Sequence, residues 1–128
     1  MLECPARRSS APTMRRALRA YLRRRSVDER AVRDVVLAAA EALNNAIVHA
    51  DAASTAIVVS ALVRDGRASV EIRDAGRGFE ARGLDMGRCP GGDSSCGRGL
   101  FLIHSVMDEL RVESGSGGTT VHMARRVG

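Results

Sequence analysis

Between Asp34 and Ala50 the chain reads DVVLAAAEALNNAIVHA, with apolar positions recurring at helical spacing. Val32, Val36, Ala39, Leu43 and Ile47 form the stripe that such a helix turns toward a core. Glu41, Asn45 and His49 stand at i, i+4 and i+8 on another side, stacked one turn above the next. One face packs, and another presents a carboxylate, a carboxamide and an imidazole. Taken alone, Glu41 and Asn45 read as solvated surface residues and His49 as a structural histidine at a helix end. Two glycine-rich stretches farther along change that reading.

The same patterning lays out the rest of the chain. Residues 1–12, MLECPARRSSAP, carry no periodicity and read as a loose tail or a short edge segment. Thr13 then caps a helix to about Arg25, with Met14, Ala17, Leu18, Tyr21 and Leu22 as its apolar stripe. Ser26 and Glu29 have capping-box spacing, so a second helix is predicted from there to His49 or Ala50, beside the first. From Ser54 to Val63 and from Ala68 to Arg73 the residues are β-branched or alternating, and Arg64-Asp65-Gly66-Arg67 between them is a hairpin signal. Residues 80–96 are rich in Gly, Ser and Asp, a long loop of the kind that serves as a lid. Gly97-Arg98-Gly99 opens a helix with Leu100, Ile103, Val106, Met107 and Leu110 at helical spacing. Leu110 to Ser114 and Thr119 to Ala124 read as two strands joined by a glycine-rich turn. Strands flanked by helices without a regular βαβ repeat predict an α+β sandwich with helices on one sheet face.

Composition narrows the chemistry. A chain of 128 residues is one domain by length, with one site as the expectation. Tyr21, Phe79 and Phe101 are its whole aromatic set, which leaves no platform for stacking bases and disfavours single-stranded nucleic acid as a partner. Every basic residue is Arg, so a P-loop lysine and a Schiff-base mechanism are excluded. Ten of the 20 Arg fall in residues 1–33 against Glu3, Asp28 and Glu29, so the net charge of +5 is concentrated at the amino-terminal end. Arg15, Arg16, Arg19 and Arg23 to Arg25 surround the apolar stripe of the first helix, where they form either a solvated face or a partner surface. Cys4, Cys89 and Cys96 make neither a CxxC nor a zinc pattern and read as free thiols. With neither a secretory h-region nor a long apolar run, the chain reads as soluble and cytoplasmic, with no membrane role.

Two motifs then join the Asp34–Ala50 helix. In DAGRGF, residues 74–79, a carboxylate at a strand end precedes two glycines that permit close approach of a flat ligand, with Asp74 able to accept from an exocyclic amine. In GRGLFLI, residues 97–103, a glycine pair precedes a helix start, whose free N–H groups and dipole suit phosphate.

The ordered set EALNNAIVH at 41–49, DAGRGF at 74–79, GRGL at 97–100 and GTT at 118–120 resembles the N, G1 and G2 boxes and terminal Gly-Thr of the GHKL, or Bergerat-fold, ATPases. The small size, EALNNAIVHA and FLIHSVMDEL are most similar to bacterial anti-sigma-factor serine kinases. The resemblance covers about residues 14–125 and implies a two-layer sandwich with a mixed, mostly antiparallel sheet. It divides the chain into a flexible tail at 1–12 and a histidine-kinase-like ATPase domain at 13–128.

It further implies ATP and Mg²⁺. Asn45 matches the metal-holding asparagine, a hard oxygen ligand, and Glu41 matches the carboxylate that takes the proton of an attacking serine. Asp74 matches the adenine-reading acid and Thr119 its supporting threonine. Gly76, Gly78, Gly97, Arg98, Gly99 and Leu100 match positions lining the nucleotide, and His49 a phosphate-side or packing histidine. Arg15, Arg16 and Arg19 are the expected partner-binding residues. Two features depart from the family's pattern: residues 1–12 make a poor first strand, and Ser95 and Cys96 stand where such kinases can carry a γ-phosphate-reaching base, with Arg98 or Arg88 as candidate replacements. The implied function is an ATP-binding anti-sigma factor, expected as a homodimer. It would sequester a sigma factor and phosphorylate an anti-anti-sigma protein. A binding-only regulator and a histidine-kinase catalytic domain are the alternatives, the second disfavoured because the chain has no room for a phosphoacceptor helix pair.

Overall fold

The computed structural model describes residues 2–4, 9–49, 56–74, 101–115 and 118–127. Its elements are β1 (Leu2–Cys4), α1 (Ser10–Arg24), α2 (Glu29–His49), β2 (Ile57–Arg64), β3 (Arg67–Asp74), β4 (Glu109–Gly115) and β5 (Gly118–Arg126), with residues 101–106 also helical. The strands form one sheet in the order β1-β2-β3-β5-β4, and every described ladder is antiparallel. Both long helices pack on one face, α1 over β1 and β2 and α2 over β3 and β5. This is the α+β sandwich that the sequence predicts.

Alternation decides which strand residues go inward. Ile57 and Val59 of β2, Ala68, Val70 and Ile72 of β3, and Val121 and Met123 of β5 are buried under the helices. Their register partners fall on the same face, Val59 opposite Ile72 and Ile72 opposite Val121. The β2–β3 turn is Asp65-Gly66, both with positive φ (53° and 72°), the backbone a two-residue type I′ hairpin demands.

The helix α2 is buried more widely than a single stripe. Val32, Val36, Ala39 and Leu43 are buried as the spacing requires, and Ile47 is half-buried. Val35, Ala38, Ala42 and Ala46 are buried too, because α2 also packs against α1. Methyl side chains there let both neighbours approach closely. Asp34 of α2 and Arg125 of β5 form an ion pair that ties the helix to the sheet. The Tyr21 hydroxyl accepts a hydrogen bond from the Val63 N–H at 3.1 Å, linking α1 to the part of β2 that the short β1 does not reach.

Three local expectations change. Leu2–Cys4 is a strand, paired with Ile57–Val59 at the sheet edge, so the edge-segment reading holds for these residues of the tail. Helix α1 starts at Ser10, three residues before the predicted Thr13 cap, because Pro12 falls in the first turn, where no N–H is needed. The predicted capping box between Ser26 and Glu29 is replaced by a two-part corner. Ser26 is left-handed (φ 61°) and ends α1, its N–H bonded to the Arg23 carbonyl and that of Val27 to the Leu22 carbonyl. Asp28 then caps α2, its Oδ1 accepting from the Ala31 N–H at 3.0 Å. Glu29, freed from capping, makes two hydrogen bonds with Arg23 at 2.9 and 3.0 Å.

This corner makes a clear expectation for stability. Asp28→Ala should cost about 0.5–2 kcal/mol in denaturant unfolding, whereas Ser26→Gly should stabilise by up to about 1 kcal/mol by relieving the left-handed backbone. A loss of stability on Ser26→Gly with none on Asp28→Ala would return the cap to Ser26.

Candidate functional site

The sheet's inner face is apolar along most of its length and turns polar at one end. There Asp74, the last residue of β3, lies directly opposite Thr119, near the start of β5. Both are buried, at 3% and 4% exposure, and both are engaged in interactions. Antiparallel register alone brings together two residues 45 positions apart, a carboxylate and a hydroxyl on adjacent strands.

Above β3 and β5 lies α2, which carries Glu41 and Asn45. Both side chains are half-buried, one turn apart on the margin between the packed and the open sides of the helix. His49 is the last residue of α2, and its side chain lies outside the described residues, as do Gly76, Gly78, Gly97, Arg98, Gly99, Leu100, Arg88, Ser95, Cys89 and Cys96. On α1, Arg15 and Arg19 are half-buried and Arg16 is exposed. The structure thus juxtaposes Asp74 with Thr119 and lays the helix of Glu41 and Asn45 over their strands.

The donor set fits a nucleotide and its metal. A buried carboxylate beside a hydroxyl can read an amine-bearing base, and the Asn45 carboxamide oxygen is a suitable ligand for a hard cation. Among the described residues no cluster of three or more His, Cys, Asp or Glu suited to a metal exists.

A trough of about 600 Å³ lies on the face of the sheet opposite α1 and α2, lined by Ser60, Glu71, Arg111 and His122 among others. Its polar side chains already meet across the strands, Arg67 with Glu109 at 2.5 Å and His122 Nδ1 with Glu71 Oε2 at 3.3 Å. That is the water-facing side of an antiparallel sheet, distinct from the polar end of the inner face.

Sequence reasoning passed over two residues. Arg33 and Leu37 precede Glu41 at intervals of four and share its side of α2, and both are exposed. The i, i+4 spacing was there to find them, but a leucine in an apolar run reads as core.

A two-layer sandwich with this polar end is the framework of an ATPase of the histidine-kinase type, and the comparisons agree. The model of the histidine kinase-like ATPase domain matches residues 4–125, and the chain belongs to that family. It is 32% identical over 104 residues to an anti-sigma F factor of Caldanaerobacter subterraneus subsp. tengcongensis, covering 76% of this chain and 71% of that protein. It is 30% identical over the same length to an anti-sigma F factor of Thermoanaerobacter sp. strain X514, with the same coverage. In structure it is similar to the RsbU and RsbW domains of Rv1364c from Mycobacterium tuberculosis (TM-score 0.71, 25% identity), with 98% of this chain covering 32% of that one. It shares its fold with the mycobacterial sensor histidine kinase MprB (TM-score 0.59, 20% identity, 98% of this chain and 97% of that one). The chain is therefore a GHKL protein related to anti-sigma-factor kinases. Membership of an ATPase-domain family implies ATP as its nucleotide and kinase-type chemistry in general. No helix among the described residues is long and apolar enough to cross a membrane.

The Asp74–Thr119 juxtaposition should appear as energetic coupling. In a double-mutant cycle of Asp74→Asn and Thr119→Val, the two stability changes should depart from additivity by about 0.5 kcal/mol or more. Strict additivity would mean that the two side chains act separately.

Proposed function

We propose that this protein is an ATP-binding anti-sigma factor and serine kinase. It holds a sigma factor and, by phosphorylating a serine of an anti-anti-sigma protein, inactivates the antagonist that would release it. The observation that carries the reading is the buried Asp74–Thr119 pair under the helix bearing Glu41 and Asn45. The anti-sigma F relatives support the regulatory half.

In this reading Asp74 accepts from the adenine amine and Thr119 buttresses it, while Gly76, Gly78, Gly97, Arg98, Gly99 and Leu100 line the nucleotide and His49 lies on its phosphate side. Mg²⁺, held through the Asn45 carboxamide oxygen, would supply charge neutralisation at the phosphates. Glu41 accepts the proton of the serine hydroxyl as that oxygen bonds to the γ-phosphorus and the bond to the β-phosphate oxygen breaks. Glu41 is half-buried, and in this reading its carboxylate meets a hydroxyl of another protein. Arg15, Arg16 and Arg19 of α1 face the partners, and the working form is a cytoplasmic homodimer.

A binding-only regulator is the second reading. It is favoured by Ser95 and Cys96 standing where related kinases can carry a basic residue toward the γ-phosphate.

Calorimetric titration with Mg-ATP tests the pocket. Asp74→Asn and Asn45→Ala should each weaken binding about 10- to 100-fold, the loss of one charge-assisted contact, and undiminished affinity in both would remove the assignment. Glu41→Ala should retain ATP and lose phosphate transfer to the antagonist by about 100-fold or more. Sigma-factor binding without any transfer by the unaltered chain would favour the binding-only reading.

A further inference from the structure

The outward side of α2 is polar except at Leu37 and, at one edge, the half-buried Ile47. At about 100° per residue, the exposed and half-exposed positions of α2 gather on one side, interrupted there by the buried Ala40, and Leu37 stands in the middle of that arc. Leu37 is 37% exposed, one turn from Glu41 and one turn from the exposed Arg33. Leu37 is not among the buried core members of α2, which are Val32, Val35, Val36, Leu43 and the alanines.

The Arg33 end of the arc is strongly cationic. Arg23 bonds Glu29 through two hydrogen bonds. That bond, reinforced by the charges of Arg23, Arg19 and Arg33, holds the Glu29 carboxyl below its ordinary range. One carboxylate thus faces three guanidiniums, two of which stay uncompensated by it. Along α2 the order is surplus positive charge, an exposed apolar side chain, and the carboxylate assigned to the serine proton.

We infer that Arg33 and Leu37 read the phosphoacceptor: the serine presented to Glu41 is accompanied, on one side, by an apolar residue seated on Leu37 and an acidic residue at Arg33. This rests on Glu41 acting as the base of a serine kinase. A rise of about 1.5 Å per residue puts Leu37 roughly 6 Å and Arg33 roughly 12 Å from Glu41 along the helix. An extended acceptor advancing about 3.3 Å per residue meets them two and three to four residues from the serine. Charge complementarity selects the occupant, an acidic segment on a surface with two surplus guanidiniums, and Leu37 adds an apolar requirement that a polyanion such as nucleic acid would not satisfy. Both are specificity residues, since neither reaches the reacting atoms.

The test uses the full chain with radiolabelled ATP, Mg²⁺ and an array of short peptides, each with one serine and one flanking position varied at a time. The unaltered chain should favour Leu, Ile, Val or Met two residues from the serine and Asp or Glu three to four residues away, each by about threefold or more. Leu37→Gln should flatten the apolar preference and leave the acidic one. Arg33→Glu should turn the acidic preference into one for Arg or Lys, and both variants should bind ATP as the unaltered chain does. Transfer with the same preferences in all three proteins would overturn the inference while leaving the kinase reading intact. Transfer to the antagonist protein but to no peptide would overturn the inference alone, and ATP binding with transfer to neither would overturn both.

Discussion

The structure depends on α2 being buried from two directions at once. The sheet takes one side through Val36, Ala39 and Leu43, and α1 takes another, so that Val35, Ala38, Ala42 and Ala46 are buried as well. Alanine suits a helix packed against two neighbours, since longer side chains would hold one of them off. A helix so enclosed has no rotational freedom, and the Asp34–Arg125 ion pair pins it to the sheet at one margin. Each residue on the remaining arc has a fixed direction, which a positioned base or metal ligand needs.

The sheet does for Asp74 and Thr119 what packing does for α2. The β2–β3 hairpin is set by the Asp65-Gly66 turn, and the β3–β5 ladder by alternating apolar residues. A slip of one residue would turn Ile72, Val70 and Met123 outward, so the register is held by the whole buried face. The Asp74–Thr119 pairing inherits that specification at no extra cost, although neither residue is apolar. A carboxylate buried there is tolerated because it is engaged.

How much of this was legible in the sequence follows from the range of each interaction. The hairpin turn and the stripe of Val32, Val36, Ala39 and Leu43 are local and could be read from spacing. The order of the glycine motifs was enough to nominate Asp74 and Thr119, but not to make them neighbours, since that depends on β5 rather than β4 lying next to β3. The short strand Leu2–Cys4 is specified by the edge of β2, not by its own composition. The corner between the helices misled for a different reason. Ser26 carries a capping side chain, but its backbone was already committed to ending α1, and conformation outranks side-chain preference there. Leu37 was hidden because hydrophobicity predicts burial in one direction only, and an exposed leucine is invisible until the arc around it is known.

The two halves of the site have different physical supports. The nucleotide half rests on long-range register: Asp74 and Thr119 meet only if the sheet is assembled. The partner half rests on local helix geometry: Arg33, Leu37 and Glu41 are aligned by a repeat of four residues. Arg33 and Leu37 belong to no strand ladder and, among the described residues, to no ion pair with the sheet, so on the proposed reading substitutions at these two positions change what is recognised without disturbing what binds ATP. If the proposed function holds, that separation lets partner choice diverge over a constant nucleotide chemistry. The concentration of ten arginines in the first 33 residues fits the same division. Charge is gathered on α1 and the start of α2, where partners would arrive, and the inner sheet face that holds Asp74 is left to apolar packing.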